Sequence, residues 1–121
     1  MEEKRRAVTP EDIELVSAVL SQERGARDEF TATASLYEVS TLDKFGSLRF
    51  LGGPERPKQP DLNGAVGFAI ATVEGSADPD DRIELFVFYS AGVITELQIY
   101  TVTGKPLGKP VTAKQIVKIG Y

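Results

Sequence analysis

Carboxylates are the main candidates for chemistry in this chain, and one cluster of them lies where a stretch of alternating apolar residues begins. Asp78, Asp80 and Asp81 form an acidic turn, and Glu84 follows shortly after it. Clustered carboxylates can bind Ca²⁺ or Mg²⁺ through oxygen ligands. An EF-hand loop needs acids at alternate positions, a central glycine and a distant glutamate, and this run does not have that layout. A solvated turn, a docking patch for a basic partner and a metal site stay open, and we predict no metal.

A second candidate is a pair of carboxylates that act as general acid and general base. Glu84 and Glu96 lie on the two arms of a predicted hairpin and can share one face of a sheet. Such chemistry requires that burial raise the pKa of one carboxyl group. No feature of the sequence indicates that burial. We therefore predict exposed carboxylates and no catalytic residue.

Residue types that are missing restrict the function further. The 121 residues include no cysteine and no histidine. Thiol nucleophiles, thiolate metal sites, the commonest zinc ligand and the usual partner of a catalytic serine are therefore excluded. The glycines do not form a nucleotide-binding motif. We predict a protein that is not an enzyme and holds no cofactor.

The net charge of −4 argues against sequence-independent binding of nucleic acid, which depends on clustered lysine and arginine. The charged start, residues 1–8, has no apolar core of a secretory signal and is expected to be a flexible leader. No apolar run approaches the roughly 20 residues that cross a bilayer. We expect a soluble, cytoplasmic protein with one domain over residues 9–121 and no membrane contact.

The elements that position these residues centre on a hairpin. Residues 82–102 form two alternating runs around Ser90-Ala91-Gly92. The first run is apolar on nearly both faces, which predicts a central strand covered on both sides. Aromatic residues on a sheet can stack bases, but these lack interleaved lysine and arginine. We assign them to core packing, and they are Phe68, Phe86, Phe88, Tyr89 and Tyr100.

The remaining pattern predicts an α+β domain, with one N-terminal amphipathic helix packed on an antiparallel sheet of about five strands. Thr9 and Pro10 start a helix over residues 10–24. Besides the hairpin, strands are predicted over 29–42, 47–51 and 65–74. The alternating small residues of the last strand indicate that the helix packs closely on it. A long proline- and glycine-rich loop spans 52–64. For 111–121 the alternatives are a short helix with a capping box from Thr112 to Gln115 and an edge strand, and we favour the strand.

Three short motifs resemble those of a group of small bacterial domains of unknown function. They are Thr9–Glu11, then Asp43, Gly46, Ser47, Leu48 and Phe50, then Glu96, Leu97, Ile99 and Tyr100. These domains are similar to the immunity proteins of contact-dependent and polymorphic toxin systems. The resemblance implies a small acidic protein that binds and neutralises a cognate toxin domain.

The leading prediction is therefore a non-enzymatic protein-binding domain whose partner is a basic toxin domain. The predicted contact residues are Asp78, Asp80, Asp81, Glu84, Glu96 and Gln98. The alternative is a ligand-binding or enzymatic domain with a pocket between helix and sheet, lined by Glu96, Tyr100 and Arg49. A homodimer formed through an edge strand is a third possibility. The long loop at 52–64 competes with the acidic turn as the contact surface.

Overall fold

The structure is a computed structural model, and it describes residues 4–74 and 80–120. Two helices and seven strands are found in these residues. The helices are α1 (Pro10–Val19) and α2 (Arg24–Thr33). The strands are β1 (Arg6–Ala7), β2 (Tyr37–Thr41), β3 (Leu48–Gly52), β4 (Gly64–Thr72), β5 (Arg82–Ser90), β6 (Val93–Thr101) and β7 (Ile116–Ile119). Short 3₁₀ turns occupy Ala34–Leu36 and Ala113–Gln115.

All strand pairs are antiparallel, in the order β1-β2-β3-β6-β5-β4-β7. The predicted hairpin is confirmed as β5 and β6, which lie at the centre of the sheet. Its two turn residues, Ala91 and Gly92, have φ angles of 49° and 81°. Such left-handed turns match the twist of the strands that they join.

The start of α1 follows the prediction from Thr9 and Pro10. The Thr9 hydroxyl accepts a hydrogen bond from the Asp12 amide at 3.2 Å, and the Asp12 carboxylate accepts one from the Thr9 amide at 2.9 Å. This reciprocal capping box satisfies amides that have no partner inside the helix. Val16 and Val19 are then buried against the sheet.

Small residues on β4 bring α1 close to the sheet, as the alternation of this strand predicts. Ala69 and Ala71 are fully buried. A Cβ atom added to Gly67 would meet Leu20 Cδ2 and the Val19 carbonyl oxygen, each at 3.0 Å. The face of β4 that carries these small residues is therefore the surface on which α1 packs.

The prediction of one helix over 10–24 followed by a strand from 29 is wrong. The first helix ends at Val19, and α2 occupies much of the predicted strand. Ala26, Glu29 and Phe30 are buried, and this spacing marks one face of a helix. Ala32, which a strand would bury with Phe30, is exposed. Helical packing has outweighed the strand propensity of the threonines and aromatic residues.

The α+β class is confirmed, but the sheet has seven strands where about five were predicted. Of the two edge strands, β1 is unpredicted, whereas β7 is the terminal strand that the sequence favours. Arg6 and Ala7, inside the predicted leader, pair with β2, and β7 pairs with β4. The predicted terminal strand is thus present, and the Thr112–Gln115 capping box precedes it.

Candidate functional site

One face of the sheet carries aromatic and charged side chains and is not covered by either described helix. We call it the open face. Cross-strand pairing places Glu84 opposite Tyr100, Phe86 opposite Gln98 and Phe88 opposite Glu96. The open face comprises Arg49 of β3, Phe68 and Ile70 of β4, Glu84, Phe86 and Phe88 of β5, and Glu96, Gln98 and Tyr100 of β6.

Four aromatic rings lie next to one another across the three long strands of the open face. Phe68 and Phe86 have ring centroids 4.8 Å apart, and those of Phe86 and Phe88 are 6.1 Å apart. Tyr100 stacks on Phe86 at 6.1 Å with an angle of 11° between the ring planes. These are favourable separations for aromatic pairs. Together the rings form a continuous aromatic strip.

The assignment of these aromatic residues to core packing is correct only for Tyr89. Tyr89 is 5% exposed, whereas Tyr100 is 36% exposed and the three phenylalanines are half-buried. Successive side chains of a strand point to opposite faces. Because Leu85, Val87 and Tyr89 face the helices, Phe86 and Phe88 must face the other way. The prediction that β5 is covered on both sides is therefore wrong, because the described helices cover only one of its two faces.

A polar group borders the aromatic strip at the Arg82 end of β5. The Tyr100 hydroxyl donates a hydrogen bond to Glu84 Oε2. Arg82 Nε lies 3.5 Å from Glu84 Oε1. Glu84 therefore holds the Tyr100 ring in place while its own charge is partly compensated. This arrangement suits recognition, because it fixes the position of an aromatic ring at the border of an apolar surface.

Three of the six predicted contact residues meet on the open face. Glu84, Glu96 and Gln98 lie there beside the rings. Asp80 and Asp81 lie just before β5, and the Asp81 carbonyl oxygen accepts a hydrogen bond from the Val73 amide at 3.3 Å. Asp78 lies outside the described residues.

The residues predicted to line a pocket between helix and sheet lie elsewhere. Arg49, Glu96 and Tyr100 are on the open face, and Arg49 and Glu96 are directly opposed across β3 and β6. A cavity of about 250 Å³ does lie between the end of α1 and β4. Gln22 and Glu23 line it from the helix side. Among the described residues, Glu23 is the one carboxylate that lines this cavity.

A buried carboxylate under the long loop is missing from the sequence-based candidates. Glu29 of α2 is 8% exposed, and its Oε2 accepts a hydrogen bond from the Lys58 amide at 2.6 Å. Burial raises the pKa of Tyr37 and of Tyr89, and the negative charge of Glu29 adds to both rises. An acid on the apolar face of α2, next to Phe30, is the signal that reveals this position once α2 is assigned correctly.

The long loop is fixed at several points, although its composition is typical of mobile segments. Besides the bond to Glu29, the Leu62 carbonyl accepts from the Gly92 amide at 2.9 Å. The Asn63 side chain accepts from the Ala91 amide at 2.8 Å. The loop therefore joins α2 to the turn of the central hairpin. We assign it a structural role.

The outer edge strand β7 has features that oppose pairing with another strand. Its register with β4 is irregular between Ile70 and Ala71, and Lys118 lies on it. Gln22 Nε2 donates to the Ile119 carbonyl oxygen at 3.1 Å. Bulges, lysines and covered edge groups are common protections of exposed edges. Dimerisation through an edge strand stays a prediction.

In residues 4–74 and 80–120, no cluster of three potential metal ligands occurs. None of the described helices is long and apolar enough to span a membrane. Comparison with protein-family models, with curated proteins and with solved structures finds no match to this chain.

Proposed function

We propose that this chain is a non-enzymatic binding protein whose open face contacts another protein, and that the partner is a bacterial toxin domain that it neutralises. The observation that carries the proposal is the aromatic strip. A sheet whose first face already packs on two helices bears four adjacent rings on its second face. Contiguous apolar surface of this kind marks interaction sites in soluble proteins.

The composition of the open face supports protein recognition. Interface centres are enriched in aromatic residues and arginine, with polar groups around them. Here Phe68, Phe86 and Phe88 supply the centre. Glu84, Glu96 and Gln98 supply hydrogen-bond acceptors beside it.

Charge supports a basic partner. The net charge of −4 would attract a positively charged toxin domain and accelerate the encounter. Asp80 and Asp81 would act at the rim near Arg82. Asp78 is proposed as a further contact on the sequence alone, since it lies outside the described residues. The choice of a toxin, and of the bacterial cytoplasm as the site of action, rests on the resemblance of the short motifs to immunity proteins.

The test is co-expression with any toxin domain that a neighbouring gene encodes. We expect the natural chain to bind this domain and to restore growth. Phe86→Ser and Tyr100→Ala should each weaken binding at least about tenfold, because each removes part of the aromatic strip. Val117→Ser is the matched control, since Val117 is 64% exposed on the edge strand β7, which carries none of the four rings.

Thermal melting of each variant identifies any loss of toxin binding that results from unfolding. Folded Phe86→Ser and Tyr100→Ala proteins that still neutralise the toxin would exclude the open face as the contact surface. A natural chain that binds no toxin domain would refute the assignment as an immunity protein.

A further inference from the structure

We infer that, when no partner is bound, the open face packs against the open face of a second copy of this chain, so that self-association competes with partner binding. The competition rests on the proposed function. The self-association does not, because it follows from the open face alone.

The charges of the open face permit two copies to meet there. Its carboxylates, Glu84 and Glu96, each lie beside an arginine of the same chain. Arg82 is 3.5 Å from Glu84, and Arg49 lies directly opposite Glu96 in the sheet. Lys118 lies opposite Ile70 at the border of the same face. The chain's net negative charge therefore resides elsewhere, and like-charge repulsion does not oppose contact at this face.

The size of the open face fits a weak dimer. The three long strands have nine residues each, which corresponds to a length of roughly 30 Å. With the adjoining part of β3 the width is roughly 16 Å, since neighbouring strands lie about 4.8 Å apart. Two such faces bury on the order of 1,000 Å² in total, about the minimum for a specific interface. A partner with additional rim contacts can displace such a copy.

The sheet edges offer a poorer route to self-association. The edge strand β1 has two residues, and the other edge, β7, has four with an irregular register. Gln22 already occupies the Ile119 carbonyl oxygen. The aromatic strip instead offers adjacent rings across three neighbouring strands as a contact surface.

Sedimentation equilibrium of the full chain alone, from about 1 to about 300 μM, tests the self-association because a dimer is governed by mass action. We expect the mass to rise with concentration from 13.2 kDa towards twice that value. Phe86→Glu and Tyr100→Glu should remain monomeric over this range. Val117→Glu, on the β7 edge, should behave as the natural chain.

A monomer at every concentration, or a dimer that only Val117→Glu disrupts, would overturn the inference. Addition of the toxin domain should convert the dimer into a complex with one copy of each chain. A complex that retains two copies of this chain would contradict competition between self-association and partner binding. Growth rescue is scored separately, so failure of the proposed function leaves the sedimentation result unaffected.

Discussion

At the scale of single residues, Ser47 shows how a short motif serves the fold. It is 2% exposed and immediately precedes β3. Its hydroxyl donates to the Ile99 carbonyl oxygen at 3.0 Å and accepts from the Ile99 amide at 2.8 Å. The side chain thereby extends the pairing of β3 and β6 beyond Leu48 and Leu97. The Gly46-Ser47-Leu48 part of the motif is explained by structure, independently of any partner.

Replacement of Ser47 tests this role. Ser47→Ala leaves both buried backbone groups of Ile99 without their partner, and the free energy of unfolding should fall by about 1–3 kcal/mol. Ser35→Ala, at an exposed position, should change it by less than about 0.5 kcal/mol. Urea denaturation of the two variants makes the comparison. Equal effects would contradict the bridging role of the hydroxyl.

The two buried tyrosines should lower the free energy of unfolding at high pH. Burial raises the pKa of Tyr37 and of Tyr89 in the folded chain. In the unfolded chain both phenols ionise near about pH 10. Unfolding therefore releases protons above that pH, and the free energy of unfolding falls as the pH rises further.

The expected result is a loss of stability between about pH 9 and about pH 11 that is smaller in Tyr89→Phe, because phenylalanine has no proton to release. Denaturant titrations at both pH values measure it. If the free energy of unfolding falls equally with pH in the natural chain and in the variant, Tyr89 does not contribute to the loss of stability.

At the scale of elements, the contact between α1 and β4 depends on Gly67. A Cβ atom at this position would lie 3.0 Å from both Leu20 and the Val19 backbone. Gly67→Val should therefore destabilise the fold by about 1–3 kcal/mol or more through overpacking. Gly108→Ala is the control, since its added Cβ would meet nothing within 4 Å. A Gly67→Val protein as stable as this control would contradict the close packing of α1.

The sequence predicts those elements whose local signals agree with their packing. The hairpin of β5 and β6, the small face of β4 and the capped start of α1 are examples. It fails for α2, because a run with Thr31 and Thr33 has the propensity of a strand. In the structure both hydroxyls bond to carbonyl oxygens of the preceding helical turn, Arg27 and Glu29. Only the burial of Ala26, Glu29 and Phe30 shows the helical period.

The candidate site could be predicted only in part. Alternation along β5 and β6 indicates that Glu84, Glu96 and Gln98 share a face. It does not reveal which face the helices cover, since Leu85 and Phe86 are equally apolar. For that reason the sequence-based assignment places the aromatic strip in the core. The side of the sheet on which α1 and α2 pack determines which face becomes the core and which face leaves its rings exposed.

At the scale of the whole molecule, the domain is two-layered, with helices on one face of the sheet and an aromatic strip on the other. The net charge of −4 acts at long range, while the strip acts at contact. Association with a basic toxin domain should therefore slow as salt rises from about 0.05 to about 0.5 M, whereas dissociation changes less. Stopped-flow measurements separate the two rates. An association rate independent of salt would contradict electrostatic steering.

The central claim is that the open face is covered when the partner binds, and thiol labelling tests it most directly. The chain has no cysteine, so a single cysteine can be placed at Gln98 on the open face or at Glu14 on the exposed side of α1. At low concentration of the chain, excess toxin domain should slow alkylation of the Gln98→Cys protein by at least about tenfold, because bound surface is excluded from reagent. Alkylation of the Glu14→Cys protein should be unchanged. Slowing at position 14 without slowing at position 98 would contradict the account.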